Sequence, residues 1–589
     1  MPSRVSLFMF VLCASAFRPA SAQSPVEHAS TRQLAVDPRS TVGAIVVASA
    51  AGAALDSNLM NGGGSDDTLV LQGILDRARD GMAVQLVVDG PALISGLDVY
   101  GHTTIECTAG GGLYLKDDSD RAIIRNAHRS RKNVTDEHIA IRGCFLNGNR
   151  NGQRLTAGRD FAARQEPDGT FKSGLQFLGA NYVSVQDVTI WNARSFGAWF
   201  SNAKYIDIRN VIVDTDIPPF DETLSAAEQR NFLDRVRSND DGLHFNGPIQ
   251  YLTIDGVKLR TEDDGIGLNA NDWSRVDDMT LENKMGPYVG QGPIVDVTVR
   301  NVLFMDSLQG IRLVSSNQRI DRIVIENVSG TVRGRMAVVS ANLGKPPHIG
   351  NFGFVSFSHV SVQPAKFAKM SEIYSELMDE KYGDLGEEFE MALFSVNSPI
   401  ENLTLDHVVT RPVDDRPLIR IGHDAAIDTM NVQMSINDPA LQAVPLELVA
   451  GGRIERLNIA LDWKGKASDQ GKNPMQSNGG IITQLHWLNT PPMFVGAQLT
   501  NGNVLVVTFS QDVKAADFKA GVTIKVNGKS VEVSSAARQR ERDVVRYILK
   551  APLSVRDAVT WTYCGADGAI QNLSGDQLLS VSGRVATIH

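Results

Sequence analysis

The chain has 589 residues, of which 42% are hydrophobic, and carries a formal net charge of −10 at pH 7. That length accommodates one large domain and a smaller one, with an ordinary supply of core-forming residues. The acidic balance excludes the broad basic footprint that nucleic acid and anionic membranes require, and leaves a glycan partner open.

At the N-terminus Arg4 precedes an apolar stretch from Leu7 to Ala16, and Ala20-Ser21-Ala22 supplies a small-residue cleavage pattern. Residues 1–22 therefore read as a signal peptide, with export to the periplasm or beyond. The run is too short to span a bilayer, and no later run reaches the required length. Processing leaves Cys107, Cys144 and Cys564, too few for a disulfide framework and without metal-ligand spacing. Cys107 and Cys144 are read as two buried thiols, a single bridge between them being the alternative. Ser65-Asp66-Asp67 opens a helix whose Leu71, Ile74, Leu75 and Ala78 share one face. Such a helix would cap the open end of a repeat structure.

A repeat with two strand types follows. The first reads apolar-x-apolar-x-(Asn, Asp, Gly or His)-apolar and begins at Ile139, Val183, Ile206, Leu252, Val297, Ile323, Val355 and Leu403. Its period-two alternation puts the apolar residues on one face, and its fifth residue suits a left-handed or turn conformation. The second reads x-Gly-apolar-x-apolar and begins at Ser173, Phe196, Asp241, Asp264 and Gln309. Two strand types in fixed order at a short period predict an all-β fold, a right-handed parallel β-helix solenoid, over residues 40–465. A charged, helix-like stretch from Pro364 to Leu393 interrupts it. Residues 466–490, polar and Gly-rich up to Gly480, read as a linker. Strands such as Asn503–Phe509, Val522–Val526, Val544–Leu549 and Ala558–Tyr563 predict a small β-sandwich accessory domain over 491–589.

Equivalent residues in successive coils stack about 4.8 Å apart. The column before the glycine then holds Ser173, Phe196, Asp241, Asp264 and Gln309, and the column three residues on holds Gln176, Trp199, His244, Gly267 and Arg312. Both are expected to face solvent. Asp241 and Asp264 become neighbours, with Asp263 beside them. Stacked like charges raise at least one carboxyl pKa, the split that an acid and base pair needs. A lone Asp before Gly is more often a turn residue, but three on adjoining coils, preceded by Asn239-Asp240, form a cluster. The steps from Ile206 to Asp241 and from Asp264 to Val297 are much longer than their equivalents elsewhere, so two insertions flank the cluster. One contains Ser225-Ala-Ala-Glu228, a capping-box pattern. Trp199, His244, Arg312 and Asn269 are the candidate substrate contacts, Trp199 as an exposed ring for stacking on a sugar. Packing for Trp199, an ordinary surface role for His244 and charge balance for Arg312 are the bland readings.

At these residues the sequence resembles glycoside hydrolase family 28, the polygalacturonase group, over roughly Ser65 to Asn317. That family carries Asn-Thr-Asp-Gly and Gly-Asp-Asp segments on consecutive coils, matched here by Asn239-Asp240-Asp241-Gly242 and Glu262-Asp263-Asp264. The resemblance implies a secreted polysaccharide hydrolase of the pectate-lyase-like β-helix superfamily, acting with inversion. Asp263 would be the general acid, and Asp241 and Asp264 would activate water. The family's Gly-His-Gly segment has no counterpart, Met285-Gly286-Pro287-Tyr288 standing in that region, and its Arg-Ile-Lys reads Arg312-Leu313-Val314. The implied substrate is thereby widened from galacturonan to a neutral or differently charged plant or microbial glycan. The expected partner is a polysaccharide or oligosaccharide, the chain a monomer, and no metal or cofactor is required. Two other readings stay open: a lyase using the aspartates for calcium with Arg260 or Arg312 as base, and a non-catalytic glycan-binding or adhesion protein.

Overall fold

The computed structural model describes residues 43–154, 166–216, 221–225, 227–229, 240–270, 286–341, 349–365, 392–413, 416–437, 444–464, 475–487, 492, 494–500, 502–509, 512–540, 543–550, 552–553, 557–565, 567–572, 577–578, 581–585 and 587–588. The signal-peptide segment, Asn239, and nearly all of the stretch expected to be helical between Pro364 and Leu393 lie outside these residues.

From Ala44 to Trp487 the strands pair in parallel with the strand one coil on, giving a right-handed parallel β-helix. The eight copies of the first strand type stand in the register their spacing predicts, from Ile139 through Val183, Ile206, Leu252, Val297, Ile323 and Val355 to Leu403. Their alternating apolar side chains fill a continuous core. At the fifth place Gly143, Asp187, Asn210, Gly256, Asn301, Asn327, His359 and His407 all have positive φ. The chain turns there through the left-handed conformation that these residue types tolerate best.

The second strand type is also in register, Leu175, Ala198, Leu243, Ile266 and Ile311 standing side by side. Its glycines are set by close approach rather than by φ. A Cβ on Gly242 would lie 2.5 Å from the Gly265 carbonyl oxygen of the next coil. Thr68–Leu75 forms the expected helix, and Leu71, Ile74 and Leu75 bury into the core.

Two expectations are corrected. Cys107 and Cys144 are bridged, because Glu106 pairs with Arg142 and so brings the two cysteines together on adjacent coils. The linker over 466–490 gives way to a further coil. Met475–Asn478 and Ile481–Trp487 pair in parallel with Leu446–Val449 and Arg453–Lys464, so the solenoid runs past 465. The polar face of Met475–Asn478, which hid it from a hydrophobic pattern, is exposed. Beyond it the strands are mainly antiparallel. They form two main sheets around a shared cluster that includes Leu505, Val507, Tyr547, Trp561 and Tyr563.

Candidate active site

The second strand type positions the site. Alternation sends Leu243, Phe245, Ile266 and Leu268 into the core, and the residues between them to the outer side. The outer column runs Gln176, Trp199, His244, Gly267 and Arg312, pair by pair as the spacing predicts. Asp264 pairs with Gln309, and the Gly242 N–H donates to the Asp264 carbonyl.

These columns lie outside the core yet are largely buried, which corrects the expectation that they face solvent. Trp199 is 0% exposed. It packs with Phe171, Leu178, Phe196 and Val289, and Tyr288 joins the same cluster. The segments around Phe171 and Val289 fold over the column, a packing that no repeat period announces. Trp199 is therefore no stacking platform. Its Nε1–H donates to Asn246 Oδ1 at 2.6 Å. Asn269 stands beside Asn246 on the next coil and is buried as well.

Asp241, Asp263 and Asp264 each offer an oxygen within 4.8 Å of the others, the one such group of three or more His, Cys, Asp or Glu side chains among the described residues. Asp241 and Asp264 are 2% and 3% exposed, whereas Asp263 is only partly buried. Asp263 Oδ1 accepts from Gln309 Nε2 at 3.3 Å. Arg312 Nη1 donates to Asp264 Oδ2 at 3.4 Å. His244, far from an ordinary surface histidine, bonds through Nδ1 to Asp241 Oδ2 at 2.5 Å, and its ring stacks on Phe196 with centroids 4.2 Å apart. Oδ1 of Asp241 and Oδ1 of Asp264 are buried without a hydrogen-bond partner. Two such orphans in one place leave room for a bound polar group, since buried acceptors are otherwise nearly always paired.

Burial, reinforced by Asp263, pushes the Asp241 carboxyl well above its ordinary range against the pull of Arg312. Burial does the same to Asp264, opposed by Arg312 and aided by Asp263 and Asp241. Burial also lowers His244 to about 4, leaving it neutral near pH 7. For Arg312 burial opposes the charge, but the three carboxylates outweigh it and hold the guanidinium above the usual arginine range. A second arginine was not legible in the sequence. Arg150, from the turn Arg150–Gly152, places Nη1 2.7 Å from Asp240 Oδ2 and 3.3 Å from Glu262 Oε1. It neutralises the residues just before Asp241 and Asp263, from 112 positions before Glu262. The capping box forms too, Ser225 N–H donating to the Glu228 carboxylate at 3.0 Å and Glu228 N–H to Ser225 Oγ at 3.4 Å.

Such an arrangement suits proton transfer. One water donating to two oxygens at about 2.8 Å each spans up to about 5.6 Å, so oxygens within 4.8 Å can share it.

No family model and no curated protein matches the chain. Among solved structures it is similar to the family 28 exopolygalacturonase of Yersinia enterocolitica, at 12% identity over 75% of this chain and 78% of that one, TM-score 0.43. It is also similar to a hyperthermoactive exopolygalacturonase from Thermotoga maritima, at 12% identity over 71% and 92%, TM-score 0.43. The tailspike protein of E. coli bacteriophage HK620 aligns at 9% identity over 86% and 90%, TM-score 0.46. On the pairing of its own strands, the chain is a right-handed parallel β-helix.

Proposed function

We propose that the protein is an exported glycoside hydrolase that cleaves a polysaccharide by an inverting, two-carboxylate mechanism. The observation that carries the carboxylate chemistry is the triad itself: three aspartates with oxygens within 4.8 Å, two of them buried with one unpaired oxygen each. Inversion is taken from the family resemblance, the oxygens lying closer than the roughly 6.5–9.5 Å usual for inverting pairs. Asp263, the most accessible of the three, gives its proton to the glycosidic oxygen as the bond to the anomeric carbon breaks. Asp241 and Asp264 hold a water, and one of them takes its proton as the water oxygen bonds to that carbon. One carboxyl loses a proton and one gains it, so exchange with solvent resets the site. Arg312 limits the repulsion among the carboxylates with its own positive charge, and the proposed steps use no metal. The substrate class is a neutral or differently charged relative of pectin, and the chain acts as a monomer.

The test is product analysis on a panel of plant and microbial glycans with chelator present, comparing wild type with Asp263→Asn. New reducing ends that lack ultraviolet absorbance and disappear in the variant support hydrolysis. Ultraviolet-absorbing products lost on chelation would mean a lyase, and binding without any product would mean an adhesion protein.

A further inference from the structure

His244 lies directly behind Asp241, and its surroundings fix more than its position. Its ring is sandwiched by construction: Phe196 stacks on it nearly parallel, at 5°. The next coil offers Gly267 at the same register. A Cβ there would sit 3.1 Å from His244 Nδ1 and 3.3 Å from Asp241 Oδ2, directly over their hydrogen bond. The glycine has ordinary negative φ, so it is the space, not the backbone, that requires it.

The imidazole's other nitrogen, Nε2, is buried and makes no hydrogen bond. Nδ1, 2.5 Å from Asp241 Oδ2, is the ring's one hydrogen-bonding atom. With the proton on Nδ1 the neutral imidazole donates to the Asp241 carboxylate.

We infer that His244, stacked on Phe196 and given space by Gly267, is a positioning residue that fixes Asp241 through Oδ2 and turns Oδ1 toward the water it deprotonates. The inference rests on the hydrolase reading above and assigns His244 to the base rather than to the sugar. A neutral imidazole does this without adding positive charge against Arg312.

The test compares His244→Asn with His244→Leu on whichever panel glycan the wild type cleaves. The Asn amide nitrogen falls where Nδ1 stood, and Leu fills similar space without a donor. His244→Leu is expected to lower kcat about 100-fold, the cost of a misplaced catalytic group, with KM changed by less than about threefold because the ring lies behind the carboxylate. His244→Asn is expected to recover at least about tenfold of that loss. Imidazole 15N shifts of the full-length wild type at pH 7, assigned by difference from His244→Asn, should show Nδ1 protonated and Nε2 bare. Wild-type turnover with Leu equal to Asn, or a proton found on Nε2, would overturn the positioning role and leave the hydrolase standing. No wild-type turnover on any glycan would take down both. Thermal melts of both variants report folding, so a collapsed Leu variant is replaced by Gly267→Ala, which crowds the same hydrogen bond and should also lower kcat with KM held.

Discussion

Two columns run along the same solenoid, and they use the coil spacing in opposite ways. In the turn column, Asn210 donates to Asp187 at 3.1 Å, Asn327 donates to Asn301 at 2.6 Å, and the His359 and His407 rings stack at 4.9 Å. Each side chain there satisfies its neighbour near solvent, and the strained left-handed turns are stabilised by that ladder. In the carboxylate column the same spacing stacks Asp241 on Asp264, buried, with an oxygen of each unpaired. One column lowers the free energy of the fold, whereas the other raises it. A cost of that kind, two stacked buried carboxyls on a regular repeat, is where the proposed function departs from folding.

The comparison breaks first on activity. Asp263→Asn and Asp264→Asn should each cut kcat/KM by about 1,000-fold or more, measured as reducing ends, while a turn substitution such as Asn327→Ala should leave turnover within about twofold. Retained activity in either aspartate variant would remove the functional reading of the column.

Arg150 sharpens the contrast on stability. Arg150→Met removes a cation that both buried Asp240 and buried Glu262 share, at a cost of about 3 kcal/mol. Urea denaturation at pH 7 reads this, and a loss below about 1 kcal/mol would mean that Arg150 does not support the carboxylate coils.

Protonation gives the next effect. His244 has its folded pKa lowered from 6.5 to about 4, so between those values the unfolded chain binds the extra proton. The stability tied to this residue is present above pH 6.5 and is lost as pH falls toward 4. Wild type should therefore lose up to about 3 kcal/mol relative to His244→Asn across that window. Equal pH slopes for the two proteins would contradict a buried neutral imidazole.

The smallest effects have opposite signs. Burial raises the Asp241 and Asp264 carboxyls, so the folded chain holds their protons longer, and ionisation erodes stability as pH climbs above 3.8. Asp241→Asn should consequently stabilise the protein at pH 7 by about 1 kcal/mol while abolishing activity. Asn301→Ala should destabilise it by about 1 kcal/mol, through a left-handed turn at φ 56 and two lost side-chain bonds. Thermal melts showing both shifts in the same direction would collapse the distinction between the columns.

Much of this was readable beforehand. Alternation at Val183, Ile206 and Leu252 predicted register, and the Asn, Asp, Gly and His residues at the fifth place predicted the left-handed turns, because both follow from local geometry repeated once per coil. The triad was legible for the same reason: Asp241 and Asp264 occupy one place in the repeat. What escaped came from contacts that no period encodes. The segments around Phe171 and Val289 fold over Trp199, and Arg150 reaches the carboxylates from a distant turn. The Met475–Asn478 coil has a polar exposed face, so its pattern looks like a linker although its backbone pairs.

In the proposed mechanism, water held by Asp241 and Asp264 attacks the sugar directly, in one displacement. The most direct test follows the first minutes of wild-type cleavage by 1H NMR and reads the anomeric configuration of the new reducing end. The inverted anomer should appear first, with the other appearing only by mutarotation. A retained anomer at the outset would mean a covalent glycosyl-enzyme, and would contradict this mechanism.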